Sequence, residues 1–294
     1  MLPTFIGIGA PKAGTTWLFR CLAEHPEVFV AAVKETSFFD YGTIDGRFGE
    51  YEAHFAGGDG YRAVGEVSTR YLGSARAPER VRRHIPHARL FASLRNPVDQ
   101  IYSHYWHLAR QNFHRWHGEK VPATFEEALE RFEAVMFEPA LYLKHLGRWL
   151  EHFERSQLLI LFYDDIRARP AEAFAALCAH LGVDDSFTPA SLTRRDSSMR
   201  RGVSPKSAAL GRAHSYLYSQ LNARLYYPLK QLVGVRNAER LKNALKVRPA
   251  MEYLFFRQGY PEMKPATRAH LRARLAGEIE GLADLTGRDL SHWR

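Results

Sequence analysis

The chain has 294 residues, of which 46% are hydrophobic, so it can bury a substantial core and is not a disordered protein. Its net charge of +9 favours an anionic partner, either nucleic acid or an anionic cofactor or acceptor. No run approaches the roughly 20 apolar residues of a membrane helix, and the first segment is too short for a signal peptide. We therefore expect no membrane span and a cytoplasmic location.

The N-terminal segment predicts a strand, a glycine-rich loop and a helix in succession. Residues 4–9 are mostly apolar and predict a short buried strand, and a helix is expected to begin after Gly14. The free N–H groups and the dipole of a helix N-terminus favour an anion. Gly14 lets the backbone come close, and Thr15 and Thr16 add hydroxyl donors. The segment predicts a phosphate-binding loop, and the alternative is a turn that only joins the strand to the helix.

The loop differs from the Walker A motif of nucleoside triphosphate enzymes. Gly9 and Gly14 have the required spacing, but Thr15 occupies the position at which that motif needs a lysine. The lysine of this loop is Lys12, where it can lie beside the atom that bridges a bound phosphate and the group beyond it. This placement suits a ligand with one phosphate and one transferable group, and a P-loop kinase or nucleotide hydrolase is the alternative.

The run from Pro11 to Thr16 resembles the 5'-phosphosulfate loop of sulfotransferases that use 3'-phosphoadenosine 5'-phosphosulfate (PAPS). It is most similar to that of the heparan sulfate sulfotransferases and their bacterial relatives. The resemblance implies PAPS as co-substrate, 3',5'-ADP (PAP) as product and no metal. It assigns cofactor contacts to the residues of the loop and the first helical turn: Lys12, Ala13, Gly14, Thr15, Thr16 and Trp17.

A carboxylate follows the next predicted strand, residues 28–30. Glu35 precedes a pair of phenylalanines, and the heparan sulfate enzymes have a glutamate before a similar pair. That glutamate is their proposed catalytic base, and the resemblance gives Glu35 this role and gives Lys12 the stabilisation of the leaving phosphate. An acceptor hydroxyl does need a base to take its proton during attack. The alternative is that Glu35 only forms an ion pair, with Lys34 or with an arginine.

The stretch 64–72 predicts a strand end that opens into a loop. It resembles a family segment in which a lysine usually follows the glutamate, but here Val67 follows Glu66. Arg70 is able to supply the missing charge. Because of this departure we expect the stretch to form part of a cleft wall and assign no site residue in it.

A second anion site is predicted after the buried strand 89–95. Arg95 closes this strand, Pro97 starts a helix, and Ser103 lies two turns into that helix. Ligands of open α/β sheets bind at the carboxyl ends of strands, where an arginine can hold a phosphate. In the PAPS sulfotransferases the matching arginine and serine hold the 3'-phosphate. The alternative is that Arg95 pairs with a carboxylate such as Asp99 and that Ser103 is an ordinary helix residue.

The remaining elements complete the prediction of the fold. A further buried strand is predicted at 157–163, and helices are predicted at 124–134, 140–153, 170–181, 206–233, 237–246 and 266–286. The alternation of strands and helices indicates an α/β, P-loop-like three-layer fold with a central parallel sheet flanked by helices and a helical C-terminal part. We expect residues 1–294 to form a single sulfotransferase domain.

Two further features stay open at this level. The helix around His145 resembles a family helix, and His145 is either a structural histidine or an acceptor contact. The basic stretch 194–206 occupies the position of a cofactor-covering loop in the family, or is a plain solvated loop. Cys21 and Cys178 have no metal-ligand spacing and are expected to be buried thiols.

The sequence therefore predicts an enzyme of the PAPS-dependent sulfotransferase type. It would move a sulfuryl group to a hydroxyl or an amine of a small-molecule, lipid or saccharide acceptor. We expect no metal ion and, because no zinc-finger, RRM or homeodomain signature is present, no nucleic-acid partner. The identity of the acceptor and the oligomeric state are not predicted.

Overall fold

The structure is a computed structural model that describes residues 1–40, 42–111, 122, 124–193, 202–226, 228 and 253–294. These residues form two compact units. The first comprises the described parts of 1–101, 134–200 and 265–294, and the second those of 102–133 and 201–264. This division does not test the prediction of a single sulfotransferase domain, which stays a prediction.

A five-stranded parallel sheet forms the centre of the first unit, in the order β2-β3-β1-β4-β5. Its strands are β1 (Phe5–Gly9), β2 (Val28–Val30), β3 (Ala63–Val67), β4 (Arg89–Leu94) and β5 (Leu158–Phe162). Because β1 lies between β3 and β4, the segments that follow these three strands begin at the same edge of the sheet.

Helices connect and cover the strands, as expected for a parallel sheet. They are α1 (Thr15–Glu24), α2 (Phe48–Glu52), α3 (Ala77–His84), α4 (Pro97–Gln111), α5 (Phe125–Arg131), α6 (Glu133–Phe137), α7 (Tyr142–Leu150), α8 (Tyr163–Ala168), α9 (Pro170–Leu181), α10 (Ala190–Thr193), α11 (Ala208–Leu221) and α12 (Pro265–Thr286). A π-helix, Asn222–Tyr226, follows α11. Among the helices that the structure describes, none is long and apolar enough to cross a lipid bilayer.

The core of the first unit lies between the sheet and helices α1 and α9. It includes Trp17 and Leu18 from α1, Phe91 from β4 and Phe174 from α9, all of them 0–1% exposed. Gly7 permits the close packing of β1 on β4, because a Cβ atom at this position would lie 2.5 Å from Cζ of Phe91. The apolar strands are buried on both faces, which explains their nearly continuous hydrophobic runs.

The second unit contains a short antiparallel sheet that the sequence analysis did not predict. Strand β6 (Val203–Pro205) pairs with β7 (Phe256–Gln258). The strands are only three residues long and β6 follows a polar stretch, so neither has a recognisable apolar pattern. Beside them, the Tyr260 ring stacks on Trp106, with centroids 6.0 Å apart.

The predicted fold class is confirmed: the sheet is parallel and flanked by helices, and a helix of 22 residues, α12, lies in the C-terminal part. The helix predicted at 124–134 is instead interrupted at Phe132, between α5 and α6. Most of the helix predicted at 206–233 is present as α11 and the following π-helix. The helix predicted at 237–246 and most of the basic loop, 194–201, lie outside the described residues.

The C-terminal segment returns to the edge of the sheet where β4 and β5 end. The Trp293 indole N–H donates to Oδ2 of Asp164 at 2.7 Å, and Nδ2 of Asn96 donates to the carbonyl oxygen of Trp293 at 3.2 Å. Arg288 donates to Oδ1 of Asp165 at 2.7 Å. These contacts join the last residues of the chain to the start of α8 and to the residue that precedes α4.

The Arg288–Asp165 pair makes a pH-dependent contribution to stability that can be measured. The hydrogen bond from Arg288 lowers the pKa of Asp165 below its ordinary value of 3.8, and Arg169 adds to the effect. A lowered carboxyl pKa stabilises the fold above the ordinary pKa, and this contribution disappears as the pH falls through the folded-state pKa. We expect Asp165→Asn to lower the free energy of unfolding by about 1–2 kcal/mol at pH 7.

Denaturant unfolding at pH 7 and near pH 3 measures this effect, and the difference between the wild type and Asp165→Asn should be smaller at the lower pH. Glu172→Gln is a matched control, because Glu172 also pairs with Arg169 but is 69% exposed. Its effect should be small at both pH values. An equal destabilisation of Asp165→Asn at both pH values would contradict the assignment.

Candidate active site

Three loops at the candidate site follow three neighbouring strands. The phosphate loop follows β1, the segment containing Thr69 follows β3, and Arg95 follows β4. The connection after β1 leads towards β2, whereas the connection after β4 leads to β5 on the other side. The sheet therefore has a topological switch point between β1 and β4, where ligands of open α/β sheets bind.

The phosphate loop ends at the N-terminus of α1, as predicted. Gly14 precedes the helix with φ of 87°, in the left-handed region that favours glycine. The first turn of α1 contains no acidic residue, so its N–H groups and dipole are not neutralised locally. Thr15 is buried and Thr16 is exposed. These features fit an anion at the helix N-terminus.

The first helical turn is held by the core beneath it. The indole N–H of Trp17 donates to the carbonyl oxygen of Ser191 at 3.1 Å, and its backbone N–H donates to the carbonyl oxygen of Gly14 at 2.9 Å. Both N–H groups of Trp17 thus have protein acceptors, and the predicted contact of Trp17 with the cofactor stays a prediction. Ser93 Oγ donates to the carbonyl oxygen of Ala13 at 2.5 Å and fixes the buried side of the loop.

Arg95 lies against the phosphate loop. Its Nη1 is 3.4 Å from the carbonyl oxygen of Lys12, and its guanidinium lies over the Tyr163 ring, 5.0 Å from the centroid. Among the described residues, Arg95 forms no ion pair with a carboxylate, and Asp99 accepts instead from Arg268 at 3.0 Å. The structure thus brings the two predicted anion-binding residues of β1 and β4 together.

Ser103 lies on α4, in the second unit. It is 4% exposed, and its Oγ is 3.3 Å from Oη of Tyr260. Tyr260 also stacks on Trp106, as described above. The predicted role of Ser103 at the 3'-phosphate stays a prediction.

Glu35 is held against the carboxyl end of β3. Its backbone N–H donates to the carbonyl oxygen of Val67 at 3.0 Å. Thr69 donates twice to the carboxylate, from its backbone N–H to Oε2 at 2.7 Å and from its hydroxyl to Oε1 at 3.0 Å. Lys34 forms an ion pair with Oε1, so the ion pair named in the alternative is present, and the role of Glu35 as base stays a prediction. The side chain of Glu35 nevertheless remains 35% exposed and therefore accessible to an acceptor.

A second carboxyl group lies beneath Glu35, in a position that the sequence analysis did not assign. Glu66 on β3 is 0% exposed and accepts hydrogen bonds from the hydroxyl groups of Thr36, Ser68, Tyr51 and Tyr71. Burial raises the pKa of Glu66. The available signal was a charged residue within an otherwise apolar strand, which is unusual unless hydrogen-bonding partners surround it.

His145 lies on the buried face of α7. This face comprises Tyr142, His145, Leu146 and Trp149. The ring Nε2 of His145 is 2.6 Å from the carbonyl oxygen of Glu138, and burial lowers the pKa of His145. A fully buried ring of this kind supports the structural interpretation.

The positions of Arg70, the two cysteines and possible metal ligands complete the description of the site. Arg70 pairs with Asp40 at 2.9 Å. Cys21 and Cys178 are buried free thiols, and burial raises the pKa of each to about 12. Within the described part of the chain, no group of three or more His, Cys, Asp or Glu side chains is arranged to hold a metal ion.

Comparison with known families gives a match over most of the site. A family model described as "Sulfotransferase domain" matches residues 2–201. The bifunctional heparan sulfate N-deacetylase/N-sulfotransferase 4 of Mus musculus is 30% identical over 202 residues, which cover 63% of this chain and 23% of that protein. The corresponding protein 1 of Caenorhabditis briggsae is 26% identical over 273 residues, which cover 84% of this chain and 31% of that protein.

The chain therefore spans less than a third of the length of these curated relatives. Among solved structures, a sulfotransferase from Alicyclobacillus acidocaldarius superposes with a TM-score of 0.69 at 24% identity and covers 100% of this chain and 99% of that one. At this identity the superposition shows a shared fold.

Proposed function

This chain belongs to the family of PAPS-dependent sulfotransferases, and we propose that it moves the sulfuryl group of PAPS to a hydroxyl or an amine, with Glu35 as the general base. The resemblance noted in the sequence and the enzyme class are both confirmed by the family match. The observation that carries the proposal is the contact between Arg95 and the carbonyl oxygen of Lys12. It joins the two predicted anion-binding loops at the switch point of the sheet.

The donor would be held at both ends by these loops. The backbone N–H groups of Ala13, Gly14 and Thr15, with the hydroxyls of Thr15 and Thr16, are proposed to hold the 5'-phosphate at the α1 N-terminus. Arg95 is proposed to bind the 3'-phosphate, and its stacking on Tyr163 keeps the guanidinium plane in place. Trp17 supports the loop from below through its bond to Ser191, and its contact with the cofactor remains a prediction.

The transfer would be a single in-line displacement. Glu35 removes the proton of the acceptor as its oxygen or nitrogen forms a bond to sulfur. The bond between sulfur and the bridging oxygen breaks, and 3',5'-ADP leaves with that oxygen. Lys12 stabilises the negative charge that develops there. Thr69 orients the Glu35 carboxylate through its two hydrogen bonds.

The acceptor is proposed to be a small molecule, a lipid or a saccharide. The named relatives are heparan sulfate N-sulfotransferases, which supports an amine as well as a hydroxyl and a saccharide among the candidates. Incubation with labelled PAPS and a panel of hydroxyl and amine acceptors would identify the class. The cytoplasmic location and the role of Ser103 remain predictions.

The two other function classes are less well supported. A kinase or nucleotide hydrolase would need a lysine at position 15, which is Thr15, and the family match is to sulfotransferases. A nucleic-acid-binding protein would use the +9 charge, but the anion loop and Arg95 account for part of it. It would show a steep salt dependence of DNA or RNA affinity.

We expect 3',5'-ADP to stabilise the protein without magnesium. A ligand at about 100 times its dissociation constant adds about 2.7 kcal/mol to the free energy of unfolding when it binds only the folded state. A thermal-shift titration measures this, with Mg-ATP as the comparison. Stabilisation by Mg-ATP alone would contradict the proposal and favour the kinase class.

Replacement of the proposed base should affect turnover and not donor binding. We expect Glu35→Gln to lower kcat by roughly 10²-fold or more, because the amide cannot accept the proton of the acceptor. The affinity for 3',5'-ADP, measured by calorimetry, should change little. Glu138→Gln is the matched control, since Glu138 also pairs with a lysine, Lys144, at 2.9 Å. An unchanged kcat in Glu35→Gln would disprove the assignment.

Replacement of Arg95 should affect donor binding selectively. We expect Arg95→Ala to weaken 3',5'-ADP binding by about 10- to 100-fold, the loss of a charged hydrogen bond. The binding of 5'-AMP, which lacks the 3'-phosphate, should be nearly unchanged. Arg268→Ala is the control, because Arg268 pairs with Asp99. If Arg95→Ala binds 3',5'-ADP as tightly as the wild type, the 3'-phosphate site lies elsewhere.

A further inference from the structure

The buried carboxyl group of Glu66 has no role in the proposed transfer, yet it is surrounded by hydroxyl groups. Ser68 donates to Oε2 at 2.7 Å, together with Thr36, while Tyr51 and Tyr71 donate to Oε1 at 2.8 and 3.0 Å. Among the described residues, no lysine, arginine or histidine forms an ion pair with Glu66. We call Glu66 and the four residues that donate to it the Glu66 cluster: Thr36, Tyr51, Glu66, Ser68 and Tyr71. Because Glu66 is fully buried on β3, it cannot contact a substrate.

The Glu66 cluster holds the segment that follows Glu35. The hydroxyl of Thr36 donates directly to Glu66. The backbone N–H of Ser37 donates to Oγ of Ser68 at 3.1 Å, and the backbone N–H of Phe39 donates to Oη of Tyr71 at 3.3 Å. Three of the four residues from 36 to 39 are thereby attached to side chains that surround the buried carboxyl group.

This segment has a backbone conformation that needs such attachment. Glu35 and Ser37 have φ angles of 67° and 54°, in the left-handed region that residues other than glycine seldom adopt. Such a conformation persists when the surrounding structure fixes it. On one side it is fixed by the bond from the Glu35 N–H to Val67, and on the other by the bonds of residues 36–39 to the Glu66 cluster.

We propose that Glu66 is a positioning residue for sulfuryl transfer: through Thr36 and Ser68 it fixes the backbone that presents the Glu35 carboxylate to Thr69 and to the acceptor. The inference rests on the proposed role of Glu35 as base. Glu66 acts only on the geometry of proton removal. It does not touch the phosphate loop or Arg95, so donor binding is independent of it.

Thr36→Val tests this role. Valine keeps the shape of threonine but lacks the hydroxyl group that donates a hydrogen bond to Glu66. We expect kcat to fall by roughly 10- to 100-fold, the effect of a small displacement of a catalytic group. The dissociation constant of 3',5'-ADP should stay within about twofold of the wild-type value, as expected for an effect on geometry alone. Thr36→Ser, which retains the hydroxyl, should restore kcat. Glu66→Gln should lower kcat in the same way, since its amide nitrogen cannot accept a hydroxyl proton.

Tyr51→Phe is the matched control within the cluster. Tyr51 donates to Glu66 as Thr36 does, but it comes from α2 and its hydroxyl has no bond to residues 36–39 among the described contacts. The phenylalanine ring keeps the stacking of Tyr51 on Phe38. If Glu66 had only a structural role, Thr36→Val and Tyr51→Phe would both lower the stability of the protein and would both leave kcat unchanged. The proposal requires that kcat falls in Thr36→Val and not in Tyr51→Phe.

A double variant separates this inference from the proposed function. If Glu66 and Thr36 act through Glu35, Thr36→Val should lower kcat no further in a Glu35→Gln background. A wild-type kcat in Thr36→Val and Glu66→Gln, with an impaired Glu35→Gln, would overturn the inference and leave the proposed base intact. A wild-type kcat in Glu35→Gln would overturn the base assignment and the inference with it.

Discussion

The parallel pairing of β1 with β3 on one side and β4 on the other is the constraint on which the rest of the first unit depends. It places the carboxyl ends of three strands at one edge of the sheet. The segments that leave these ends carry a helix N-terminus, a carboxylate contact and an arginine, although they are far apart in the chain. The contact of Arg95 with the carbonyl oxygen of Lys12 is a direct consequence of this pairing.

The site combines two different electrostatic environments. Around the phosphate loop the helix dipole, Lys12 and Arg95 provide positive potential, and the first turn of α1 contains no acidic side chain. Around β3, by contrast, Glu66 is buried among neutral hydroxyl groups and Glu35 is bound by Thr69 and Lys34. In the proposed function, donor binding and proton removal therefore use separate sets of residues, as suits a reaction that depends on positioning and charge stabilisation.

Local patterns predicted the phosphate loop and Arg95, because the strand, the glycine and the following helix lie within about twenty residues. The family match then confirmed what that loop resembles. The same reasoning could not find the partner of Asp99, which is Arg268, 169 residues away. It also missed the importance of Glu66, since the apolar neighbours of that residue in sequence indicate only a buried strand.

The sequence by itself determined the order of the strands and helices around the central sheet and the type of loop after β1, and the resemblance of that loop indicated the family. The first two properties follow from short-range periodicity and from backbone requirements such as the glycine at position 14. Only the tertiary structure decided which distant groups meet: Trp17 with Ser191, 174 residues away, and Glu66 with hydroxyl groups from two other segments. The physical reason is that a buried donor or acceptor must find a partner, but which partner it finds depends on how the segments pack.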